Sequence, residues 1–244
     1  MSEAPHRLAA AGRVVLVSGA SRGIGAAIAR RLHDDGFALS LGVRDPRRSA
    51  AAFGEHDTAR VMFARFDALE PPTAAAWIEA TLAHFGRVDG LINNAGIYRK
   101  LSFAEGDESA LDEVWAVNVK APFRLIRLAL PHLAKSGNGR IVNVASTDGK
   151  RYRDASVSIA YALSKQALVG LSHAARFAGW DQGVRVTALC PGATDTDLTR
   201  GLPGVAAKLL SPKTLAEIVS LLLHLPNDAS VAELVVNTRL ESTL

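Results

Sequence analysis

Tyr161-Ala-Leu-Ser-Lys165 places a phenol and an ammonium four residues apart, which on a helix puts them on one face. A phenol exchanges protons poorly at neutral pH, because its unperturbed pKa is about 10. A neighbouring cation favours the phenolate and lowers that value, so the pair is read as a general acid or base. Ser146 closes a β-branched run, Arg140 to Ala145, and a hydroxyl at the carboxyl end of a parallel strand is placed where open α/β sheets bind ligands. Together the three suggest proton transfer to or from an oxygen that the serine holds.

A second cluster suggests what the proton transfer accompanies. Directly after the first apolar run comes Ser18-Gly19-Ala20-Ser21-Arg22-Gly23-Ile24-Gly25, and then a helical pattern. Gly19 permits a tight turn, Gly23 close approach of phosphates, and Gly25 close packing of helix on strand. The helix N-terminus offers free N–H groups to a pyrophosphate. Ser21, Arg22 and Ile24 are therefore taken as contacts together with the three glycines. The second strand ends Leu41-Gly42-Val43-Arg44, with a guanidinium where an acid would hold a ribose 2′-OH. Arg22 and Arg44 predict NADP(H) in preference to NAD(H), although Asp45 follows immediately.

The elements that must carry these residues alternate. Strands are predicted at Val14–Val17, Ala38–Val43, Arg60–Phe66, Val88–Ile92, Arg140–Ala145, Val184–Leu189 and Glu233–Val236. Helices are predicted at Ile24–Leu32, Thr73–Phe85, Ala110–Leu133, Ile159–Ala178 and Lys213–Leu223. Continuous apolar strands separated by helices predict right-handed βαβ units in a doubly wound parallel sheet with helices on both faces, a Rossmann-type α/β fold. With 244 residues, 48% of them hydrophobic, one domain over 1–244 is expected rather than a disordered chain.

The charge balance is only +4 and the basic residues are scattered, so neither nucleic acid nor a membrane surface is implied. No apolar run approaches the roughly 20 residues of a membrane span. The start MSEAPHRLAAAGRVV has no signal-peptide pattern, and a cytoplasmic location is expected. The single cysteine, Cys190, is read as a packing thiol, and the seven histidines lack metal-ligand spacing, so no metal is predicted.

In combination these motifs resemble the short-chain dehydrogenase/reductase family over essentially the whole chain. The residues that carry the resemblance are Gly19, Gly23 and Gly25, Asn93-Asn94-Ala95-Gly96, Asn118, Ser146, Tyr161 with Lys165, and Pro191-Gly192. The resemblance implies that Tyr161 gives a proton to a carbonyl or takes one from an alcohol, while Ser146 holds the reacting oxygen. It implies that Lys165 lowers the Tyr161 pKa and holds the nicotinamide ribose, and that Asn118 distorts its helix to hold a water in a proton path from Lys165. Asp67 would contact adenine, the turn Asn94, Ala95, Gly96 would border the adenosine ribose, and Thr194 and Thr196 would meet the carboxamide. It further implies a homodimer or homotetramer through the long helices near Ala110 and Ile159.

Some features depart from the family pattern. Ser146 precedes Tyr161 by fifteen residues, slightly more than is usual, Ser18 stands for the common threonine, and the frequent C-terminal Val-Asp-Gly-Gly turn is absent. A short mobile lid is expected in the stretch after Pro191-Gly192, through Gly201-Leu202-Pro203-Gly204 to Leu210. Arg99, Lys100, Lys150, Arg151 and Arg153 suggest an anionic substrate, or simply a solvated loop, and Tyr98 and Tyr152 offer rings for stacking. The reading is an NADP(H)-dependent oxidoreductase acting on a small-molecule carbonyl or secondary alcohol. Its rivals are a non-catalytic NADP(H)-binding regulator or redox sensor and, against the short length, an epimerase or dehydratase of the extended branch.

Overall fold

Runs rich in branched and apolar side chains form the strands, and the five inner ones are buried nearly throughout, as strands covered on both faces are. The strands are β1 (Val14–Ser18), β2 (Ala38–Val43), β3 (Val61–Arg65), β4 (Gly90–Asn93), β5 (Arg140–Val144), β6 (Arg185–Pro191) and β7 (Glu233–Val236). The computed structural model describes residues 7–200 and 209–238. Its strands make one seven-stranded sheet in the order β3-β2-β1-β4-β5-β6-β7, and all six neighbouring pairs are parallel. Residues 201–208 of the predicted lid lie outside the described residues.

The helices are α1 (Gly23–Asp34), α2 (Pro46–Phe53), α3 (Pro72–Phe85), α4 (Glu108–Trp115), α5 (Ala121–Lys135), α6 (Ile159–Gly179) and α7 (Pro212–His224). α2 lies outside the helices expected from the apolar pattern. Its start is set by Asp45, whose carboxylate accepts from the Arg48 amide at 3.0 Å, and by Pro46 in the first turn, where its missing N–H costs nothing. The single helix expected from Ala110 to Leu133 is two helices joined by one turn of π-helix, Ala116–Lys120.

Side chains of β1 alternate between two cores. Val15 and Val17 pack with Ile28, Ala29 and Leu32 of α1 and with Val219, Leu222 and Leu223 of α7. Val14 and Leu16 pack with Trp77 and Ile78 of α3 and with Leu125 and Leu133 of α5. Gly42 must lack a side chain, since a Cβ there would stand 2.6 Å from the Trp77 ring.

At the amino edge of the sheet two buried guanidiniums close the end of α7. Arg13 donates to the Leu223 carbonyl at 2.7 Å and Arg140 to the Leu225 carbonyl, the favourable sign for the negative end of a helix dipole. Burial lowers the Arg140 pKa to about 10, and the neighbouring Arg13 and Arg185 push it the same way. With that edge plugged, the opening lies at the carboxyl edge. Chain order reverses there between β1 and β4, the usual ligand crevice of such sheets.

Candidate functional site

The crevice is a cavity of about 560 Å³. One wall is the glycine loop, where Gly19 and Gly23 adopt φ of +67° and +56°, a region that favours glycine. A Cβ on Gly19 would sit 2.9 Å from the Ala95 Cα, and one on Gly25 would overlap the Gly19 carbonyl oxygen and stand 2.5 Å from the Asn94 amide nitrogen. Gly25 is thus a packing residue behind the wall, while Gly19, Ser21, Arg22, Gly23 and Ile24 line it. No side chain caps the N-terminus of α1, so its first amides are available to an anionic group. These features fit a dinucleotide pyrophosphate. Gly25→Ala is expected to lower the melting temperature by several degrees and to abolish saturable cofactor binding, as overpacking against backbone costs about 1–3 kcal/mol or more. An unchanged melting curve would contradict the packing.

The loop is held in shape from the neighbouring strand. The Ser18 hydroxyl accepts from the amides of Asn94 and Ala95 at 3.0 and 3.1 Å. The Asn94 side chain donates to the Ser18 and Gly19 carbonyls at 3.0 and 3.1 Å. Asn94, Ala95 and Gly96 line the cavity at this point. Beneath them a buried relay unforeseen from the sequence runs from Asn93 to Asn143 at 2.7 Å and from Asn143 to Ser172 at 2.8 Å. It ties β4 and β5 to α6.

Ser146, Tyr161 and Lys165 all line the cavity. Ser158 begins α6: its hydroxyl accepts from the Tyr161 amide at 3.4 Å and donates to the Arg99 carbonyl at 2.6 Å. Tyr161 therefore sits on the first turn of the helix, with Lys165 one turn on. A serine three residues ahead of the tyrosine is the readable signal for this N-cap. Ser146 stands at the end of β5, accepts from the Asp148 amide at 3.1 Å, and is a side-chain hydrogen-bond partner of the Tyr161 phenol.

The electrostatics correct one expectation. The Tyr161 pKa is raised rather than lowered: burial is the largest cause, the Asp148 carboxylate adds to it, and the Ser146 hydrogen bond opposes it. Lys165 does not offset this. Its ammonium is buried and donates to the Val144 carbonyl at 2.8 Å, with Nζ 5.5 Å from the centre of the Tyr161 ring. Desolvation lowers the Lys165 pKa to about 8. The phenol therefore stays protonated at neutral pH.

Asn118 lies within the π-turn, outside the cavity lining. Its Oδ1 accepts from the Ile97 amide at 2.9 Å, and its Nδ2 donates to the Ile97 carbonyl and the Ser164 hydroxyl, each at 3.0 Å. The helix is distorted as expected, and the side chain clamps the Gly96–Ile97 backbone to α6. Gly96 lies between Asn118 and Lys165, since a Cβ there would be 3.4 Å from Asn118 Oδ1 and 3.7 Å from Lys165 Nζ.

At the far end Arg44 lines the cavity, and Asp45 is turned away as the cap of α2. Asp67 does not line it, although Phe66, Ala68 and Leu69 do. Its carboxylate accepts from the Leu69 amide at 3.0 Å. Pro191, Gly192, Thr194 and Thr196 line the opposite side. Near the tyrosine, the Tyr98 and Tyr161 rings lie 5.4 Å apart, while Tyr152 donates to the Val157 carbonyl at 2.9 Å and so braces its own loop.

Four of the five cations expected to attract an anion have carboxylate partners. Arg99 pairs with Glu113, Lys100 with Glu105, Lys150 with Glu233 and Arg153 with Asp148, which blunts that pull. Cys190 is fully buried, and burial pushes its thiol up to about 11, consistent with a packing role. No helix among the described residues is long and apolar enough to cross a membrane.

Residues 13–204 match the family model described as short chain dehydrogenase. Agropine synthesis reductase of Rhizobium rhizogenes is 38% identical over 220 residues, covering 89% of this chain but 50% of that protein. The chain thus spans about half the length of that relative. The 3-ketoacyl-(acyl-carrier-protein) reductase of Brucella melitensis, solved with NADH, superposes with a TM-score of 0.83 at 27% identity, covering 93% of this chain and 97% of that one. A single-substitution variant of actinorhodin polyketide ketoreductase, solved with NADPH, gives a TM-score of 0.81 at 27% identity over 93% and 95% of the two chains. Family model, parallel sheet and crevice agree, and the chain belongs to the short-chain dehydrogenase family.

Proposed function

We propose that this chain is an NADP(H)-dependent oxidoreductase that reduces a small-molecule carbonyl to a secondary alcohol, with Tyr161 as the proton donor. The observation that carries the reading is the meeting of Ser146, Tyr161 and Lys165 in one cavity with the glycine loop. Bound nicotinamide would supply the hydride. The chain's own residues hold the other reactant and the proton. Ser146 Oγ is placed to donate to the reacting oxygen and to support the charge that develops there. Tyr161, kept neutral by burial and by Asp148, has its proton ready at the same oxygen, which favours the reductive direction. Lys165 stands one helical turn further in, where its ammonium can take the nicotinamide ribose and stabilise a phenolate after transfer.

Arg22 and Arg44, at the cavity's edge, are the proposed partners of a 2′-phosphate, and the withdrawal of Asp45 into the α2 cap supports that preference. Exposed Trp115, Phe123 and Leu163 on α4, α5 and α6 support assembly into a homodimer or homotetramer.

Consumption of NADPH and NADH across a panel of neutral and carboxylate-bearing ketones and aldehydes tests the reading. NADPH-linked turnover of at least one carbonyl is expected. Tight cofactor binding without turnover in either direction would replace the enzyme with a nucleotide sensor, and preferential use of NADH would overturn the roles given to Arg22 and Arg44.

A further inference from the structure

The Arg22 guanidinium has a carboxylate partner. Its Nη1 donates to Asp197 Oδ2 at 2.8 Å, with the two side chains 70% and 53% exposed. Asp197 belongs to the segment that follows β6, and both residues line the cavity. The sheet order sets β6 on one side of β1, beyond β4 and β5, and β2 on the other. Arg44 follows β2. The ion pair therefore draws Arg22 toward the β6 side, away from the end of the cavity where Arg44 stands.

Two further contacts bear on how easily Arg22 could leave. Arg200 Nη1 also donates to Asp197, at 3.2 Å, and Arg200 lies 3.9 Å from Asp195. Asp197 thus keeps a cation when Arg22 departs, and no carboxylate is stranded. The segments also touch without the pair, since a Cβ on Gly23 would stand 3.3 Å from the Thr196 methyl. Breaking the pair does not require the wall of the cavity to open.

We infer that Asp197 sets the discrimination between the phosphorylated and unphosphorylated cofactors, by competing with the 2′-phosphate for the Arg22 guanidinium. The inference rests on the cofactor preference proposed above. An exposed carboxylate–guanidinium pair contributes little, whereas a guanidinium on a phosphate makes a charge-assisted, often bidentate contact. The exchange is favourable for a cofactor that carries the 2′-phosphate. One that lacks it leaves Arg22 on Asp197. The carboxylate thus handicaps NADP(H) alone.

Fluorescence titration of NADPH and NADH against the wild type, Asp197→Asn, Arg22→Met and the double variant tests this by binding rather than turnover. Asp197→Asn is expected to tighten NADPH about two- to fivefold, the worth of an exposed pair, and to leave NADH unchanged. Arg22→Met is expected to weaken NADPH, and Asp197→Asn to have no effect in that background. An equal change for both cofactors would mean that the pair is a strap over the pyrophosphate they share, and would overturn the inference. So would an unchanged NADPH affinity in a wild type that prefers NADPH. A wild type that binds NADPH no more tightly than NADH, with Arg22→Met indifferent, would instead overturn the cofactor preference, and the inference with it.

Discussion

Tyr161→Phe is expected to lower kcat for carbonyl reduction by about 10²–10⁴-fold, the usual worth of a positioned general acid, while NADPH affinity stays within about twofold. The substitution removes one oxygen and little else. The ring still packs on Tyr98, 5.4 Å away between centroids, and still lies beside the Lys165 ammonium. Ser146 keeps its place through the Asp148 amide and can still hold the carbonyl, so KM changes less than kcat. Stopped-flow NADPH oxidation with a substrate found in the panel gives the rate, and a fluorescence titration gives the affinity. Turnover retained within tenfold would show that the proton comes from another group. Tyr98 is the nearest phenol, and Tyr98→Phe is the control.

Lys165→Met should make the protein more stable and inactive. Burial lowers the Lys165 pKa from 10.5 to about 8, so its charged form is less favourable in the folded chain than in the unfolded one. Below pH 8 both states hold the proton and the full cost of the buried charge is present. Between pH 8 and 10.5 the folded chain has released a proton that the unfolded chain still binds, so this group makes stability rise with pH. Methionine removes the charge and roughly preserves the volume. Stability at pH 7 is then expected to increase by about 2 kcal/mol, and the rise between pH 8 and 10.5 to disappear. Denaturant midpoints of both proteins at pH 7 and pH 10 provide the check. A variant less stable than wild type at pH 7 would mean that the bond to the Val144 carbonyl outweighs desolvation. A stability gained by deleting a functional group is the usual signature of a site under electrostatic strain.

The five inner strands were readable because parallel strands buried on both faces leave nearly unbroken apolar runs, and the half-buried edge strands β3 and β7 from their shorter apolar stretches. α2 was not, since only Ser49 of Pro46–Phe53 is buried and no apolar stripe forms. Asp45-Pro46 at its start and Gly54 after it were its local signals. The π-turn at Ala116–Lys120 was legible only as the helix distortion that the family resemblance assigns to Asn118, and the apolar spacing alone predicted one continuous helix. Within the site, the Tyr161–Lys165 spacing was legible and the sign of the tyrosine shift was not. Spacing names the neighbours of a group, whereas desolvation depends on everything packed around it. The cations at Arg99, Lys150 and Arg153 gave no sign of their partners for a similar reason. Glu113 and Glu233, the partners of Arg99 and Lys150, lie well outside the loops being read, and the turn that brings Asp148 to Arg153 is not written in residue types.

The packing of α1 against α7 has a consequence for biosynthesis. Ile28 and Leu32 share one core with Val219 and Leu222, and Ser220 donates to Asp35 at 2.6 Å. Arg13 finds its carbonyl only at Leu223. A ribosome adds roughly 5–20 residues per second, so the apolar side of α1 emerges many seconds before the helix that covers it. During that interval the nascent chain displays a greasy half-sheet, a natural client surface for a holding chaperone. A stop codon anywhere before α7 would leave that surface permanently bare, and the truncated product would be expected to aggregate rather than persist as a partial enzyme.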